Sequence, residues 1–211
     1  YHEAVIEVPG RLDARGAILE DLDESIVARA AHRLRARGIT AAAVALMHAW
    51  INPAHERRVG ALLRDAGFEH VSLSAELSPR IRIVPRAETA VVNAALSACV
   101  SEFIEDVRAG FRAGGPEPLV MTSAGGLHRA DRFQPKDSLL SGPAGGVVGA
   151  ASSGTRSGAT RIIAFDMGGT STDVSRYDAT SDDPARPAGF ERTNAHHVAD
   201  AKLMSPALAI E

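Results

Sequence analysis

Asp166 and Asp173 bracket a short run of glycines and hydroxyls, Asp166-Met167-Gly168-Gly169-Thr170-Ser171-Thr172-Asp173. Successive glycines expose backbone N–H groups that form a concave nest for an anion. Thr170, Ser171 and Thr172 add hydroxyl donors at the same place. The two carboxylates are hard oxygen ligands suited to Mg²⁺, held directly or through water. Donors and carboxylates at one turn suit a metal-bound polyphosphate better than a bare anion. The plainer reading is an ordinary Gly-Gly hairpin whose first strand ends in an acid.

The flanking sequence is what must position these groups. Residues 162–165 are apolar and partly β-branched and read as a buried strand, with residues 172–177 as the returning strand. Gly168-Gly169 would turn the chain through positive φ. Upstream, Ser141-Gly142-Pro143 opens a glycine-rich helix in which Gly145 and Gly149, and Gly146 and Ala150, are four residues apart on one face. Such a face serves tight packing, and the helix start also suits a phosphate. Ser123-Ala124-Gly125-Gly126 follows a strand expected over residues 119–122. Open α/β sheets place their ligands there, which makes Ser123, Gly125 and Gly126 candidate substrate contacts.

The remainder alternates helices and strands, which argues for an α/β layer with a largely parallel sheet. Strands are expected over residues 5–8, 39–47, 71–75 and 198–203. A helix starts at Asp21-Leu22-Asp23-Glu24, which has the spacing of a capping box, and ends at Gly38, a second starts at Asn52-Pro53 and ends at Gly67, and a long one covers residues 88–111. The Glu56-Arg57-Arg58 run reads as a solvated helix face, and the polar stretch 178–189 as an exposed loop. His48 reads as structural. His196-His197 on a strand point to opposite faces and do not make a metal pair by themselves. No P-loop, dinucleotide fingerprint or serine nucleophile elbow is present.

Composition narrows the function. The net charge of −3 and the 4% aromatic content give no case for nucleic acid. One cysteine, Cys99, excludes an internal disulfide and fits a reducing, cytoplasmic compartment; its apolar helical surroundings read as those of a buried structural thiol. No run of about 18 apolar residues argues for a membrane span. The chain begins at Tyr1 and stops at Ile210-Glu211 without a helix stop, which reads as a central fragment of a longer protein.

The Asp-x-Gly-Gly-Thr-x-Thr-Asp string resembles the phosphate hairpin of the actin-like (ribonuclease H-like) ATPase fold. The wider chain resembles the hydantoinase A/5-oxoprolinase family. The matching segments are that hairpin, Asn52-Pro53-Ala54-His55-Glu56-Arg57-Arg58-Val59, and Ser141-Gly142-Pro143-Ala144-Gly145-Gly146-Val147-Val148-Gly149-Ala150. Lys136-Asp137 and Leu203-Met204-Ser205-Pro206 lean toward the 5-oxoprolinase branch. The resemblance implies an incomplete α/β actin-like fold. Residues 1–152 would be the end of the first domain with its connecting helix, and 161–211 the start of the second.

It also implies an ATP- and Mg²⁺-dependent hydrolase of a small cyclic amide, opening 5-oxoproline or hydantoin rings. Asp166 and Asp173 would organise metal and water, and Gly168, Gly169, Thr170, Ser171 and Thr172 would hold phosphates. An oligomer with a hydantoinase B-type second subunit or domain is implied too, and the fragment alone would be inactive. The alternatives are an acetone/acetophenone-type carboxylase subunit and a non-enzymatic actin-like nucleotide switch. Relatives tend to carry Gln-Ser-Asn-Gly-Gly where this chain has Thr122 and Ala124 in place of the amides.

Overall fold

The computed structural model of the chain describes residues 2–111, 115–169, 172–180 and 188–210. The elements run β1 (Arg11–Leu12), β2 (Ile18–Glu20), α1 (Glu24–Arg35), β3 (Ala41–Val44), α2 (Ala54–Asp65), β4 (His70–Leu73), α3 (Ser74–Leu77) and α4 (Ile83–Ala109). Then come β5 (Leu119–Met121), β6 (Leu127–Arg129), α5 (Ser141–Arg156), β7 (Arg161–Met167) and β8 (Thr172–Asp178). Short strands β9 (Gly189–Phe190), β10 (Arg192–Thr193), β11 (His196–Val198), β12 (Ala201–Leu203) and β13 (Ala207–Leu208) follow. Two compact units result, Tyr1–Phe103 with His197–Met204, and Ile104–His196 with Ser205–Glu211.

In the first unit, α1 begins where Asp23 accepts the N–H groups of Ser25 and Ile26, a side-chain cap on otherwise orphaned donors. Gly38, at φ +81°, turns the chain out of the helix. β3 and β4 pair in parallel, Ala41 opposite His70 and Val44 opposite Leu73, with α2 as the crossover. Val27, Ala31, Val59, Leu63 and Phe68 close one apolar cluster with Val44 and Leu73.

The expected solvated face at Glu56 is overturned, because Glu56 is fully buried. Its Oε1 accepts from the Leu46 N–H (2.8 Å) and the Ser74 hydroxyl (2.6 Å), and its Oε2 from the Ala75 N–H (2.9 Å). Arg86, equally buried, lies 3.8 Å away and donates to the Leu46 carbonyl at 2.7 Å. Burial holds the Arg86 pKa below its ordinary value, with the Glu56 charge working the other way. Only Arg57 and Arg58 of the charged run face water, beside Glu76 and Glu24.

This brace explains two displaced boundaries. Leu46 is held by Glu56 and Arg86, so the strand expected over residues 39–47 stops at Val44. Ser74 and Ala75 are held too, so β4 ends at Leu73 and α3 begins. Pro53 is the N-cap of α2 and not its first helical residue; the Asn52 side chain accepts from the Ala54 N–H at 3.1 Å. Residues 5–8 form no strand, having no partner strand among the described residues.

α4 starts five residues earlier than expected, and Cys99 on it is exposed, which corrects the buried-thiol reading. At 27 residues α4 is long and apolar enough to cross a bilayer by length and composition. Its polar groups nevertheless bond within the unit: Glu88 accepts from the Lys202 N–H (2.9 Å), Thr89 from the Met204 N–H (2.9 Å), and Asn93 donates to Ser72 (3.0 Å).

In the second unit β7, β8 and β9 form an antiparallel sheet, β5 and β6 a hairpin, and β10 pairs with β13. Among the described residues only β3–β4 is a parallel pair in the registers above, so the largely parallel sheet expected from sequence is corrected. α5 packs on β7, and a Cβ on Gly154 would lie 2.5 Å from Ile162 Cδ1. β7 is not the buried strand expected: Ile163, Phe165 and Met167 are 68%, 72% and 79% exposed. The apolar content of a strand cannot reveal that one of its faces is uncovered.

Candidate functional site

The register of the β7–β8 hairpin sets Ile162 opposite Tyr177, Ala164 opposite Ser175 and Asp166 opposite Asp173. Side chains alternate along a strand, so these pairs share one face. α5 covers that face. Gly154 meets Ile162, and a Cβ on Gly146 would lie 3.1 Å from Asp166 Oδ2. The Asp166 carboxylate therefore rests against the glycine face of α5, and the sequence needs glycine there to let it approach.

Opposed residues of an antiparallel pair hold their Cβ atoms about 5 Å apart, and like charges so placed repel. Among the described residues no hydrogen bond or ion pair ends on Asp166 or Asp173, and both lie toward solvent, Asp166 exposed and Asp173 half-buried. Two carboxylates with no partner among the described residues fit a divalent cation with oxygen ligands. The order of contacts, Gly146 at Asp166 and Gly154 at Ile162, puts the start of α5 at the same end as the hairpin turn. Leu140, at the N-cap, offers no side-chain cap, so the polarity of the helix start favours an anion there. A Cβ on Gly142 would meet nothing within 4 Å.

Thr170 and Ser171 lie outside the described residues. Gly169 does not take the left-handed conformation expected of a two-glycine turn. Met167 and Thr172 close the ladder as partners. Thr172 projects to the face opposite Asp173, and it is exposed.

Ser123, Gly125 and Gly126 belong to a different structure. β5 and β6 are antiparallel, so the Ser-Ala-Gly-Gly stretch is a hairpin turn and not the end of a parallel strand. Gly125 takes φ +76°, and a Cβ on it would lie 2.8 Å from Leu208 Cδ1. Ser123 is fully buried. Its hydroxyl donates to the Asp137 carbonyl (2.8 Å) and accepts from the Leu140 N–H (3.0 Å), tying the turn to the start of α5.

Sequence reasoning missed the network beneath this turn. Lys136 Nζ lies 2.6 Å from Asp137 Oδ1 and 3.1 Å from Ser205 Oγ, and the Ser205 hydroxyl donates to Asp137 at 2.8 Å. All three are buried. Two segments 68 residues apart, each noticed only as a mark of resemblance, meet in one charged cluster. No spacing rule signals such a contact. Among the described residues no group of three or more His, Cys, Asp or Glu side chains is arranged to hold a metal, and His196-His197 lie together on β11.

Comparison with known proteins is consistent across the chain. The hydantoinase/oxoprolinase family description matches residues 86–211, and that of its N-terminal region matches residues 1–67. The 5-oxoprolinase of Saccharomyces cerevisiae is 43% identical over 162 residues, 76% of this chain and 13% of that protein. 5-oxoprolinase 1 of Arabidopsis thaliana is 46% identical over 149 residues, 68% of this chain and 12% of that one. The acetophenone carboxylase gamma subunit of Aromatoleum aromaticum is 32% identical, with coverage of 82% and 25%. The chain thus spans about an eighth of the length of the curated oxoprolinases it matches.

Among solved structures, a nucleotide-free acetone carboxylase superposes with a TM-score of 0.80 at 26% identity, and an ATP-dependent caprolactamase from Pseudomonas jessenii with 0.79 at 29%. Each covers 97% of this chain, and the chain covers 29% of each. The α/β class of the actin-like type expected from sequence stands with these neighbours.

Proposed function

Because the chain belongs to the hydantoinase/oxoprolinase family, we propose that it is the segment of an ATP-dependent enzyme that grips nucleotide phosphate while a cyclic amide, 5-oxoproline or a hydantoin, is opened. The observation that carries this reading is the opposed pair Asp166 and Asp173, two carboxylates on one sheet face with no partner among the described residues. Such a pair costs stability unless a cation answers it. Mg²⁺ held there would neutralise charge on the transferring phosphate. Gly168, Gly169 and the hydroxyls of Thr170, Ser171 and Thr172 supply donors to the phosphate oxygens. The start of α5 adds its dipole from the same side.

A lactam carbonyl is a poor electrophile and its oxygen a poor leaving group. In the proposed reaction that oxygen attacks the γ-phosphorus and ADP leaves. A first water then attacks the activated carbon and the ring C–N bond breaks, leaving an acyl phosphate; a second water hydrolyses that acyl phosphate and releases inorganic phosphate and the ring-opened amino acid. The enzyme's part is chiefly positioning and charge neutralisation. Ser123 acts by holding its turn and the start of α5, which leaves Gly125 and Gly126 as the backbone surface nearest a substrate. The proposed domain limits are 1–152 and 161–211. A hydantoinase B-type partner, an oligomeric state and a cytoplasmic location belong to the same proposal.

A second reading has its own support in the acetone carboxylase superposition. There ATP would phosphorylate a ketone's enol oxygen; phosphoryl transfer to bicarbonate would then free the enolate and, through carboxyphosphate, release inorganic phosphate and CO₂, whose carbon the enolate attacks. The experiment that separates them follows ATP hydrolysis by the complete reading frame, co-expressed with its partner subunit. Stimulation by 5-oxoproline that vanishes in Asp166→Ala is expected. Stimulation by acetone plus bicarbonate, with none by 5-oxoproline, would transfer the chain to the carboxylases. Nucleotide binding that no small substrate stimulates would make it a switch.

A further inference from the structure

Lys136, Asp137 and Ser205 close a buried ring around one oxygen. The Ser205 hydroxyl and Lys136 Nζ both donate to Asp137 Oδ1, at 2.8 and 2.6 Å, and Lys136 also donates to Ser205 Oγ at 3.1 Å. A buried ion pair contributes little net stability, because desolvation offsets the attraction. What such a ring does supply is a fixed place for the residue at its centre. Asp137 uses that place through its backbone. Its carbonyl accepts both the N–H and the hydroxyl of Ser123, each at 2.8 Å.

Ser123 passes the constraint on. Its hydroxyl accepts the Leu140 N–H at 3.0 Å, and its carbonyl accepts the Leu208 N–H at 2.8 Å, so every polar atom of Ser123 is engaged. Leu140 is the N-cap of α5, and its carbonyl accepts the Ala144 N–H at 3.0 Å. An unbroken series of hydrogen bonds thus runs from Lys136 and Ser205, through Asp137 and Ser123, into the first turn of α5. Every member belongs to the second unit. That turn carries N–H groups at Ser141 and Gly142 which no carbonyl of the helix can reach. Gly142 and Gly146 are four residues apart and share a face, and Gly146 is the residue against Asp166. An anion beside Asp166 would meet these amides. A hydrogen bond weakens steeply as its donor tilts away, so the direction of this turn decides how well it holds phosphate.

We propose that Lys136, Asp137 and Ser205 are positioning residues for nucleotide phosphate: without touching it, they set the direction in which Ser141 and Gly142 present their N–H groups. The inference rests on the phosphate reading of the hairpin given above.

The test is titration calorimetry with MgATP on the complete reading frame, co-expressed with its partner subunit. Ser205→Ala opens the ring and leaves the ion pair in place. Its Kd for MgATP is expected to rise about 10-fold with the number of sites unchanged, since misplacing a positioned group by about 1 Å costs up to about 100-fold. Ser123→Ala should act alike. The double variant should stay near 10-fold, where independent effects would multiply to about 100-fold. Val59→Ala, in the apolar cluster of the first unit, is the control: it should lower Tm and leave Kd as it was.

Fewer sites at an unchanged Kd in Ser205→Ala would mean that the ring serves folding alone, and would overturn the proposal. So would an equal rise in Kd for Val59→Ala, or effects that multiply in the double variant. If Ser123→Ala does not fold, Ser205→Ala against the control decides. Asp166→Ala separates the two readings. If it binds MgATP as well as the parent, the phosphate reading falls and the positioning role with it. If it loses MgATP while Ser205→Ala keeps full affinity, the positioning role alone falls.

Discussion

Glu56 and Asp166 are carboxylates placed in opposite circumstances. Glu56 sits beyond the ends of two parallel strands, fully buried, and accepts from three donors while a guanidinium stands 3.8 Å away. Asp166 sits at the end of an antiparallel strand, exposed, facing a second acid, with no partner among the described residues. The first arrangement is complete in itself and its product is rigidity. The second is relieved only by solvent or a ligand, and that incompleteness is what the proposed site rests on.

The comparison breaks most visibly at Glu56. Glu56→Ala leaves Arg86 buried with its compensating charge gone and strands the Leu46 and Ala75 N–H groups. The expected loss is about 3–5 kcal/mol of stability, read as a fall in the denaturant midpoint of the first unit. Glu56→Gln keeps the hydrogen-bonding shape and should recover part of the loss. A change under about 1 kcal/mol in the alanine variant would put Glu56 on the surface after all.

Asp166 should behave in the opposite sense. In the complete reading frame, Asp166→Asn is expected to lower ATP hydrolysis at least 100-fold, about 2.7 kcal/mol. The same change removes a like-charge contact, so stability without nucleotide should hold or rise by about 0.2–1 kcal/mol. Loss of both activity and stability would assign Asp166 a structural role like that of Glu56.

Two glycines of α5 sharpen the contrast at a finer scale. Gly154→Ala sets a methyl 2.5 Å from Ile162 Cδ1, and overpacking should cost about 1–3 kcal/mol, partly offset by about 1 kcal/mol of helix propensity. Gly146→Ala sets one 3.1 Å from Asp166 Oδ2, where the exposed carboxylate can swing away. Stability should change little, while nucleotide affinity, measured by titration calorimetry, should fall. Equal effects on stability at the two positions would show that Asp166 is as confined as Ile162.

The glycine stops of the first two helices and the β7–β8 hairpin were legible because they rest on local rules: Gly38 and Gly67 as stops, a Gly-Gly pair between β-prone runs; the acidic run 21–24 marked the start of α1 to within a few residues, with the cap at Asp23 and not Asp21. The paired acids were legible for the same reason, since a hairpin converts sequence distance into register. What the sequence concealed depends on contacts between distant segments. Glu56 looked solvated because its neighbours Arg57 and Arg58 are, and helical position alone does not tell which of three charges turns inward. Lys136, Asp137 and Ser205 meet only through the tertiary fold. Residues 5–8 read as a strand, and a strand needs a partner that the described residues do not provide. Cys99 sat in an apolar stripe, yet stripe and burial coincide only where something covers the stripe.

Asp178, at the far end of the hairpin from Asp173, supplies the smallest and cleanest test. Its carboxylate accepts the Thr180 N–H at 3.0 Å, which holds its pKa below the ordinary carboxylate range; burial opposes this, and the Thr180 hydroxyl, Arg161 and Arg176 add to it. A folded-state pKa below the unfolded one contributes stability that is present above the unfolded value, about pH 4, and is lost as pH falls through the folded value. Asp178→Asn abolishes that dependence. The Tm difference between the parent chain and the variant should therefore be fullest near neutrality and shrink below about pH 4. If the difference failed to shrink on acidification, the Thr180 contact would not be holding the charged form of Asp178 in the folded chain, and the contrast between a completed and an open carboxylate would fail at this end of the sheet.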